Sequence, residues 1–501
     1  MRRISILLSV LLLLMGQEAE AEKTAQAIVT NDKTMHFVYD EPVTENGTYK
    51  SQTVLSVWSG DAVVNDEDGA DWNSADEATK CTKVIFDASF ASVRPKVCKY
   101  WFMNFYYLTA IEGLQYLNTS EVTSMQSMFA NCALLTTLDV TSFDTRQVTD
   151  MHAMFQNCSK LTELNLASFR TDKVTNMSSM FQDCQGLTTI YVSRLWSAAE
   201  VGTSGDMFSN CQNLKGGNGT TFTAGNTNNK DYARIDAAGT PGYLTESVTV
   251  LLHDNADNTS ALTAYNGQTK NVTIVGRTLY KDDSWNTLCL PFNMTAEQVT
   301  SQLAPAKLMT LTSASFSAGT LTLNFSDAAS IEAGKPYIIK WASGPSITSP
   351  TFTNVTISSA APKDAEGTAA NFHGIYAPYS TDGENKKMLY LGADNKVYYP
   401  SKSRTINAFR AYFTLNNGIE AGDPASTSAL AARAFVLNFD DGETTGITDV
   451  KSNSSLFTLH SSLSTLHSSL SGWYTVNGCR LSGKPTMKGL YIYNGKKVVV
   501  E

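Results

Sequence analysis

Residues 135–158 read LTTLDVTSFDTRQVTDMHAMFQNC, and residues 161–184 read LTELNLASFRTDKVTNMSSMFQDC. A weaker copy runs from LTTIYVSRLW at 187–196 to DMFSNC at 206–211, and an earlier one ends in VTSMQSMFANC at 122–132. The four copies end in cysteines that are 26, 26 and 27 residues apart: Cys132, Cys158, Cys184 and Cys211. A fixed period of this size indicates a repeat array, so this stretch decides the fold class.

Within one repeat, the apolar pattern changes its period. The alternation in LNL (164–166) predicts a short strand with one buried face. Four later residues stand at i, i+3, i+4 and i+7 and predict a helix of two turns: Met177, Met180, Phe181 and Cys184. Such a unit cannot bury enough apolar surface alone, so the copies must stack. We therefore expect a leucine-rich-repeat solenoid with a short strand and a short helix in each repeat of about 26 residues.

The Met, Phe and Cys positions of the repeats are interpreted as core packing. A redox or metal function would need thiolates beside basic groups, and the repeats place none there. A binding function would instead use the exposed positions of the predicted strands, which form a polar and mildly acidic face. These candidate binding residues are Thr136, Thr137, Asp139, Thr162, Glu163, Asn165, Thr188, Thr189 and Tyr191.

The stretch VTSMQSMFANCALLTTLDVTSFDTRQVTDMHAMFQNC (122–158) resembles the BspA-type leucine-rich repeats of surface and secreted proteins in the Bacteroides–Prevotella group. The resemblance covers about residues 81–245. It implies display at the cell surface, attachment to host matrix proteins and aggregation with other bacteria. It does not identify a ligand, because the recurring residues occupy core positions.

The N-terminus has the pattern of a secretory signal peptide. Arg2 and Arg3 precede an apolar run from Ile4 to Met15, and Ala19-Glu20-Ala21 provides an A-x-A cleavage site. The apolar run is shorter than the roughly 20 residues that a membrane-spanning helix needs. We therefore predict that residues 1–21 are removed and that the mature protein is secreted or lies at the exterior of the outer membrane.

Charge and cysteine content exclude several classes of function. The 501 residues carry a net charge of −9 without a basic cluster, which argues against nucleic-acid binding. Cys81 and Cys98 are the candidate disulfide pair, while Cys289 and Cys479 are predicted to be buried thiols. There is no CxxC motif and the six histidines are scattered, so no zinc site, other metal or cofactor is predicted.

From Ser247 the sequence changes to short β-branched and aromatic runs separated by Gly, Asn and Ser turns, which predicts an all-β sandwich over 246–440. Residues 297–303 are the one predicted helical segment in it. The run WNTLCLPF (285–292) resembles a module of large exported proteins in the same bacterial group. No catalytic motif occurs here, and Asp282 and Asp283 are interpreted as a turn ahead of a buried Trp285.

Two TLHSSLS heptapeptides occur in tandem within a Ser-rich tract, and the chain ends in GWYTVNGCRLSG and KGLYIYNGKKVVVE. The tract indicates a linker, so His460 and His467 are not interpreted as metal ligands. The terminal piece resembles type IX secretion sorting segments in abbreviated form. We thus expect an α+β multidomain chain divided as follows: 1–21 signal peptide, 22–100 N-terminal region and solenoid cap, 101–245 repeats, 246–440 β-sandwich, 441–471 linker, and 472–501 small C-terminal β segment.

The sequence combines an export signal, repeats and a β module and shows no catalytic constellation. This combination predicts a non-enzymatic adhesin-like protein whose repeats bind host matrix proteins or other cells. The alternative is a glycan-binding accessory protein that acts through exposed aromatic residues of the β module. A third possibility is a hydrolase whose carboxylates come together only in space.

Overall fold

The computed structural model describes residues 22–65, 67–223, 229–392, 395–422 and 428–439, and the backbone of the strands at 444–447, 473–475, 489–493 and 496–500. The predicted signal peptide and most of the predicted linker, including His460 and His467, lie outside the described residues. So does the side chain of Cys479. Helix in the described part is limited to Asp61–Val64, Asp76–Thr79, Thr259–Ala264 and Ala296–Leu303, with 3-10 turns at Asp71–Ser74, Ala88–Ser92, Leu114–Tyr116 and Lys230–Tyr232.

The described chain begins in a six-stranded mixed sheet. Its strands are β1 Thr24–Thr30, β2 Thr34–Asp40, β3 Thr48–Tyr49, β4 Gln52–Ser59, β5 Lys83–Phe86 and β6 Ala110–Glu112, in the order β3-β4-β1-β2-β5-β6. Phe37 on β2 lies among Trp72, Phe86, Phe90 and Trp101, with ring centroids 4.5–5.7 Å away. This aromatic cluster belongs to a hydrophobic core that continues through the repeats to Leu244.

The repeats lack the predicted helix, because each Met-Phe-Cys segment folds as consecutive turns. Ser179 and Asp183 have φ values of 55° and 61°, in the left-handed region that a right-handed helix excludes. The amides of Ser179 and Phe181 donate to carbonyls of the next repeat, each at 2.9 Å. Because alternate amides already donate hydrogen bonds to a neighbouring repeat, the segment cannot form the i→i−4 hydrogen bonds of an α-helix.

The same backbone geometry recurs in the other copies. Positive φ is found at Ser127, Asn131, Ala153, Asn157, Asp206 and Asn210. Asn157 donates its side-chain amide to Asn131 Oδ1 at 3.0 Å, and Asn210 donates to Asp183 Oδ1 at 2.6 Å. The Asn or Asp before each repeat cysteine, a residue type that tolerates left-handed backbone, is the sequence signal for these turns.

Aromatic rings and thiols align from one repeat to the next. The rings of Phe102, Phe129, Phe155, Phe181 and Phe208 stack with centroids 5.5–5.8 Å apart. Beside them, each repeat thiol donates to a phenylalanine carbonyl of an earlier segment at 2.9–3.2 Å. The buried repeat cysteines therefore fill space and add a second hydrogen bond to carbonyls that already accept a turn amide, as Phe155 does from the amide of Cys158 at 3.2 Å.

All seven cysteines with described side chains are free and buried, including Cys81 and Cys98, so the candidate disulfide between these two does not form. Burial raises the pKa of Cys81 and that of Cys184 to about 12. Such thiols stay protonated and are poor nucleophiles. Cys289 is a buried thiol, as predicted.

Parallel pairing also links the repeats along two lines. Single bridges join Ser124, Asp150, Asn176 and Thr203 in succession. The second line is a parallel sheet of β7 Glu163–Leu166, β8 Thr189–Val192 and β9 Leu244–Glu246. At the far end Tyr243 packs against Phe208 and Tyr232, with ring centroids 5.3 and 4.6 Å away.

The second half contains many short strands, and its cores begin at Val250. The strands are β10 Thr249–His253, β11 Thr269–Val275, β12 Thr278–Leu279, β13 Asn286–Cys289, β14 Lys307–Ser317, β15 Thr320–Asp327, β16 Pro336–Lys340, β17 Ile347–Thr348, β18 Thr351–Thr356, β19 Ala370–Gly374, β20 Tyr379–Thr381, β21 Met388–Leu391, β22 Val397–Tyr398, β23 Arg404–Ile406, β24 Ala411–Leu415, β25 Glu420–Ala421, β26 Ala431–Ala432, β27 Ala434–Phe439 and β28 Thr444–Ile447. β28 lies within the predicted linker and pairs with β27.

These strands form several sheets rather than the two sheets of the predicted sandwich. The largest has the order β13-β16-β14-β15-β27-β28, and the others are β10-β11-β18, β19-β24-β21-β22 and three two-stranded pairs. Phe325 and Phe413, on the two largest sheets, approach with ring centroids 6.4 Å apart. The predicted helix at 297–303 is confirmed as Ala296–Leu303 and begins with a Thr295–Gln298 capping box.

The C-terminal strands β29 Trp473–Thr475, β30 Gly489–Tyr493 and β31 Lys496–Val500 form a separate antiparallel sheet. Across its described residues the chain is mainly β, with nine separate sheets and four short α-helices. The predicted α+β class with a strand-plus-helix solenoid is therefore wrong. The repeats contain turns where helices were expected, and the copy at 135–158 contains no regular strand.

The turn geometry predicts how a glycine substitution at Ser179 changes the free energy of unfolding. Glycine adopts positive φ without the cost that serine pays there, so Ser179→Gly should leave stability unchanged or raise it by up to about 1 kcal/mol. In a helix the same change would lower stability by roughly 0.5 kcal/mol. Urea denaturation of the full chain measures the difference.

Ser209→Gly is the matched control, because Ser209 lies in a similar turn without a positive φ. Glycine there only adds conformational freedom to the unfolded chain and should cost about 0.5–1 kcal/mol. Equal losses of stability in the Ser179→Gly and Ser209→Gly variants would contradict the turn geometry at Ser179.

Candidate functional site

The candidate binding residues lie on one edge of the repeats, but only some share a sheet. Asn165, Thr189 and Tyr191 are half-buried and the other six are exposed. Register pairs Glu163 with Thr189, and Asn165 with Tyr191. Residues 135–140 form no regular strand, so Thr136, Thr137 and Asp139 lie outside the sheet, while Thr162 and Thr188 directly precede its strands β7 and β8.

Several polar groups of this face form hydrogen bonds with other residues of the chain. Asp139 accepts hydrogen bonds from the amide and hydroxyl of Thr141 at 3.0 and 2.6 Å, and Asn165 Oδ1 accepts from the amide of Ala167 at 3.1 Å. Thr188 donates its hydroxyl to the carbonyl of Thr162 at 2.9 Å. These bonds fix the turns and the register of the face.

Other groups on this face remain available. The Glu163 carboxylate and the Tyr191 hydroxyl have no hydrogen-bond partner among the described residues. β9 extends the row, because Tyr191 stands beside Thr245 on its other side. The result is a row of side chains in register across three parallel strands, which are about 4.8 Å apart in such sheets. A flat row of this kind contacts an extended surface and offers no enclosed pocket for a small substrate.

A second polar cluster, absent from the sequence predictions, lies in the crevice between the repeats and the second half. It combines Asp144 and Arg146 from the repeats with His253 and Asp257 from β10 and the loop that follows it. The enclosed volume is about 30 Å³. This space accommodates about one water molecule and is far below the several hundred cubic ångströms of a ligand pocket.

Asp144 anchors this junction cluster. It is buried, and its carboxylate accepts two hydrogen bonds from Arg146 Nε at 2.9 and 3.1 Å. Burial alone would raise the pKa of Asp144, but the hydrogen bonds and charge of Arg146 outweigh it and leave the pKa lowered. The pair is therefore ionised at neutral pH.

His253 faces that pair without a hydrogen-bond partner for its Nε2 atom among the described residues. Burial lowers the pKa of His253 below its ordinary value of 6.5, and the carboxylates of Asp144 and Asp254 only partly oppose this effect. The imidazole is therefore neutral in the folded protein at pH 7. No sequence signal marked these residues, because they converge only when the two halves of the chain pack together.

No group of three or more His, Cys, Asp or Glu side chains that could hold a metal ion occurs in the described part of the chain. Asp282 and Asp283 form the predicted turn, with φ of 66° at Asp283 ahead of buried Trp285. Among the described residues, no helix is long and apolar enough to cross a membrane.

One family model, described as "Mycoplasma protein of unknown function, DUF285", matches residues 98–220, about a quarter of the chain. The matched segment contains all four Met-Phe-Cys segments and most of the candidate face. The chain matches no curated protein and no solved structure.

The neutral, buried His253 predicts how stability depends on pH. Below about pH 6.5 the unfolded chain takes up a proton that the folded imidazole resists, so stability is complete above that pH and falls as the pH is lowered. His36 acts in the same direction, because burial lowers its pKa to about 4. His253→Gln should therefore reduce, without abolishing, the decline in urea midpoint between pH 7 and pH 5.

Between pH 7 and pH 8.5 the two histidines are neutral in both states, so the variant and the wild type should change in parallel there. Parallel curves down to pH 5 would contradict the assignment of His253 as a buried neutral group.

Proposed function

We propose that the chain is an exported, non-enzymatic binding protein whose repeats present an adhesive face to host matrix proteins or other cells. The observation that supports it best is the in-register row across β7, β8 and β9, whose polar side chains are exposed or half-buried and line no enclosed cavity. The signal-like residues 1–21 and the sorting-like C-terminus support export. The resemblance to BspA-type repeats supports adhesion as the purpose.

The buried parts of the repeats favour a scaffold function for them. Their methionine, phenylalanine and cysteine side chains are fully covered, and their thiols have raised pKa values through burial. Contact with a partner is thus left to the strand edge and the turns, where side chains vary between copies. A macromolecular ligand that spans several copies fits such a surface better than a small molecule does.

Binding of the full chain to immobilised fibronectin, fibrinogen and whole bacteria tests this function. We expect saturable binding to at least one of them. Thr162→Arg with Thr188→Arg places two large cations on the face and should weaken that binding by about tenfold or more.

The matched control is Thr149→Arg with Thr175→Arg. These threonines are also exposed and, like Thr188, donate their hydroxyls to a carbonyl of the preceding repeat, but they lie on the other line of pairing. The control should bind like the wild type. Absence of saturable binding to all three targets, or equal losses in both double variants, would rule out the proposed face.

A second candidate function, glycan binding through the β module, is favoured by one exposed aromatic group. Tyr379 is 39% exposed and stacks on Tyr412 with ring centroids 5.0 Å apart. The His373 ring lies 5.3 Å beyond Tyr412, and its Nδ1 is 2.7 Å from the Asp364 carboxylate. A tyrosine face beside a carboxylate suits the apolar face and hydroxyls of a sugar ring.

A panel of immobilised neutral glycans probed with the full chain separates the two functions. Under this candidate, Tyr379→Ala should abolish a glycan signal, whereas Tyr39→Ala, which removes a similarly exposed ring from the N-terminal sheet, should not. A signal that survives Tyr379→Ala would exclude this site.

A further inference from the structure

A solvent-open groove of about 580 Å³ lies at the end of the repeats, between the segments 194–199 and 230–235. Its volume is in the range of sites for small ligands and single sugar units. Its lining includes none of the candidate binding residues, none of the four junction residues and not Tyr379, although Arg194 contacts Glu246 at the end of β9. Neither proposed function assigns it a role.

The walls of this groove are tied together. Trp196 is buried and donates its indole N–H to the carbonyl of Ala233 at 2.9 Å, which joins the two segments. Tyr232 stacks on Tyr243 at a centroid distance of 4.6 Å, and Lys230 Nζ donates to the carbonyl of Val201. The groove is therefore preformed, so a ligand would not have to order it.

Three cations line this groove in a chain whose net charge is −9. Arg194 is paired with Glu246, with Nε 3.0 Å from Oε1. Lys230 and Arg234 form no ion pair among the described residues, and Asp231 is the single acid in the lining.

Neutral carbonyl groups hold the two unneutralised cations in position. Arg234 donates Nε to the carbonyl of Pro241 at 2.9 Å, which leaves its terminal nitrogens without a partner among the described residues. Lys230 likewise has donors left after its single bond to Val201. The planar guanidinium of Arg234 and the ammonium group of Lys230 both line this preformed groove. Together they match a ligand that carries a carboxylate.

We propose that this groove binds an acidic sugar residue, a uronate unit of a polysaccharide. Besides its charged residues, the lining offers small alanines and a half-buried Ile235 but no deep apolar pocket, because the Trp196 ring is covered. A protein partner would need such a pocket for its anchoring side chains. A hydroxyl-rich anion does not, so the groove favours a sugar acid over an acidic peptide.

Equilibrium binding of trigalacturonate by the full chain at low salt tests this proposal, with trigalactose as the neutral counterpart and hexaglutamate as the peptide counterpart. We expect about tenfold or greater preference for trigalacturonate over trigalactose, and a loss of affinity as salt is added. Lys230→Gln with Arg234→Gln should weaken trigalacturonate binding by about tenfold or more.

Lys160→Gln with Lys173→Gln is the matched control, because it removes the same charge from exposed lysines of the repeats outside the groove. It should leave binding unchanged. Ala199→Glu, at an exposed position in the groove wall, should weaken binding without removing any contact that holds the fold, and it replaces the double variant if that one does not fold.

Three outcomes would overturn the proposal: no preference for trigalacturonate over trigalactose, equal weakening by the groove and control variants, or tighter binding of hexaglutamate. None of them depends on whether the row on β7, β8 and β9 binds a protein, so the two proposals can fail separately.

Discussion

Every second amide in the first three Met-Phe-Cys segments donates to a carbonyl of the following repeat, and the architecture of the first half depends on this bonding. Within each segment the remaining amides close turns, as when Met180 donates to Met177 at 3.2 Å. A backbone divided in this way satisfies its polar groups only when a neighbouring copy is present. No repeat is therefore an independent unit, and the core is continuous from the N-terminal sheet to Tyr243.

That bonding scheme explains the side chains that the repeats use. Flat phenylalanine rings stack at about the spacing that backbone pairing imposes, and the thiols add a second hydrogen bond to phenylalanine carbonyls that also accept a turn amide. Burial raises the pKa of these thiols, which favours the protonated form at neutral pH and makes them poor nucleophiles. Binding is left to the surfaces that the scaffold exposes: the row on β7, β8 and β9, and the groove at the end of the repeats.

Neighbouring regions of the chain cover both ends and one side of the stacked repeats. Phe37 and Trp101 cover one end, and Tyr243 covers the other. On its side the stack meets the second half through Asp144, Arg146 and His253. This polar contact contains a neutral histidine next to a buried ion pair, so the junction is expected to lose stability in mild acid.

Some of the structure was predictable from local sequence. The repeat period, the buried Met, Phe and Cys positions, the strands of the second half and the helix at Ala296–Leu303 follow from patterns that one segment carries alone. The helix predicted around Met177 and Phe181 is wrong because its i, i+3, i+4, i+7 spacing also suits two consecutive turns with one buried side. The Asn or Asp before each cysteine distinguishes the two, but only as a local preference.

By itself, the sequence determined which residues are buried and where the copies begin and end, since hydrophobic periodicity is a property of each segment. Tertiary structure alone decided that alternate amides would bind the next copy and not their own helix, because that choice depends on a neighbour that no single segment contains. It likewise decided the meeting of Asp144 with His253, and of Arg194 with Lys230 and Arg234. These residues are far apart along the chain, and only the packing of separate loops brings their charges together.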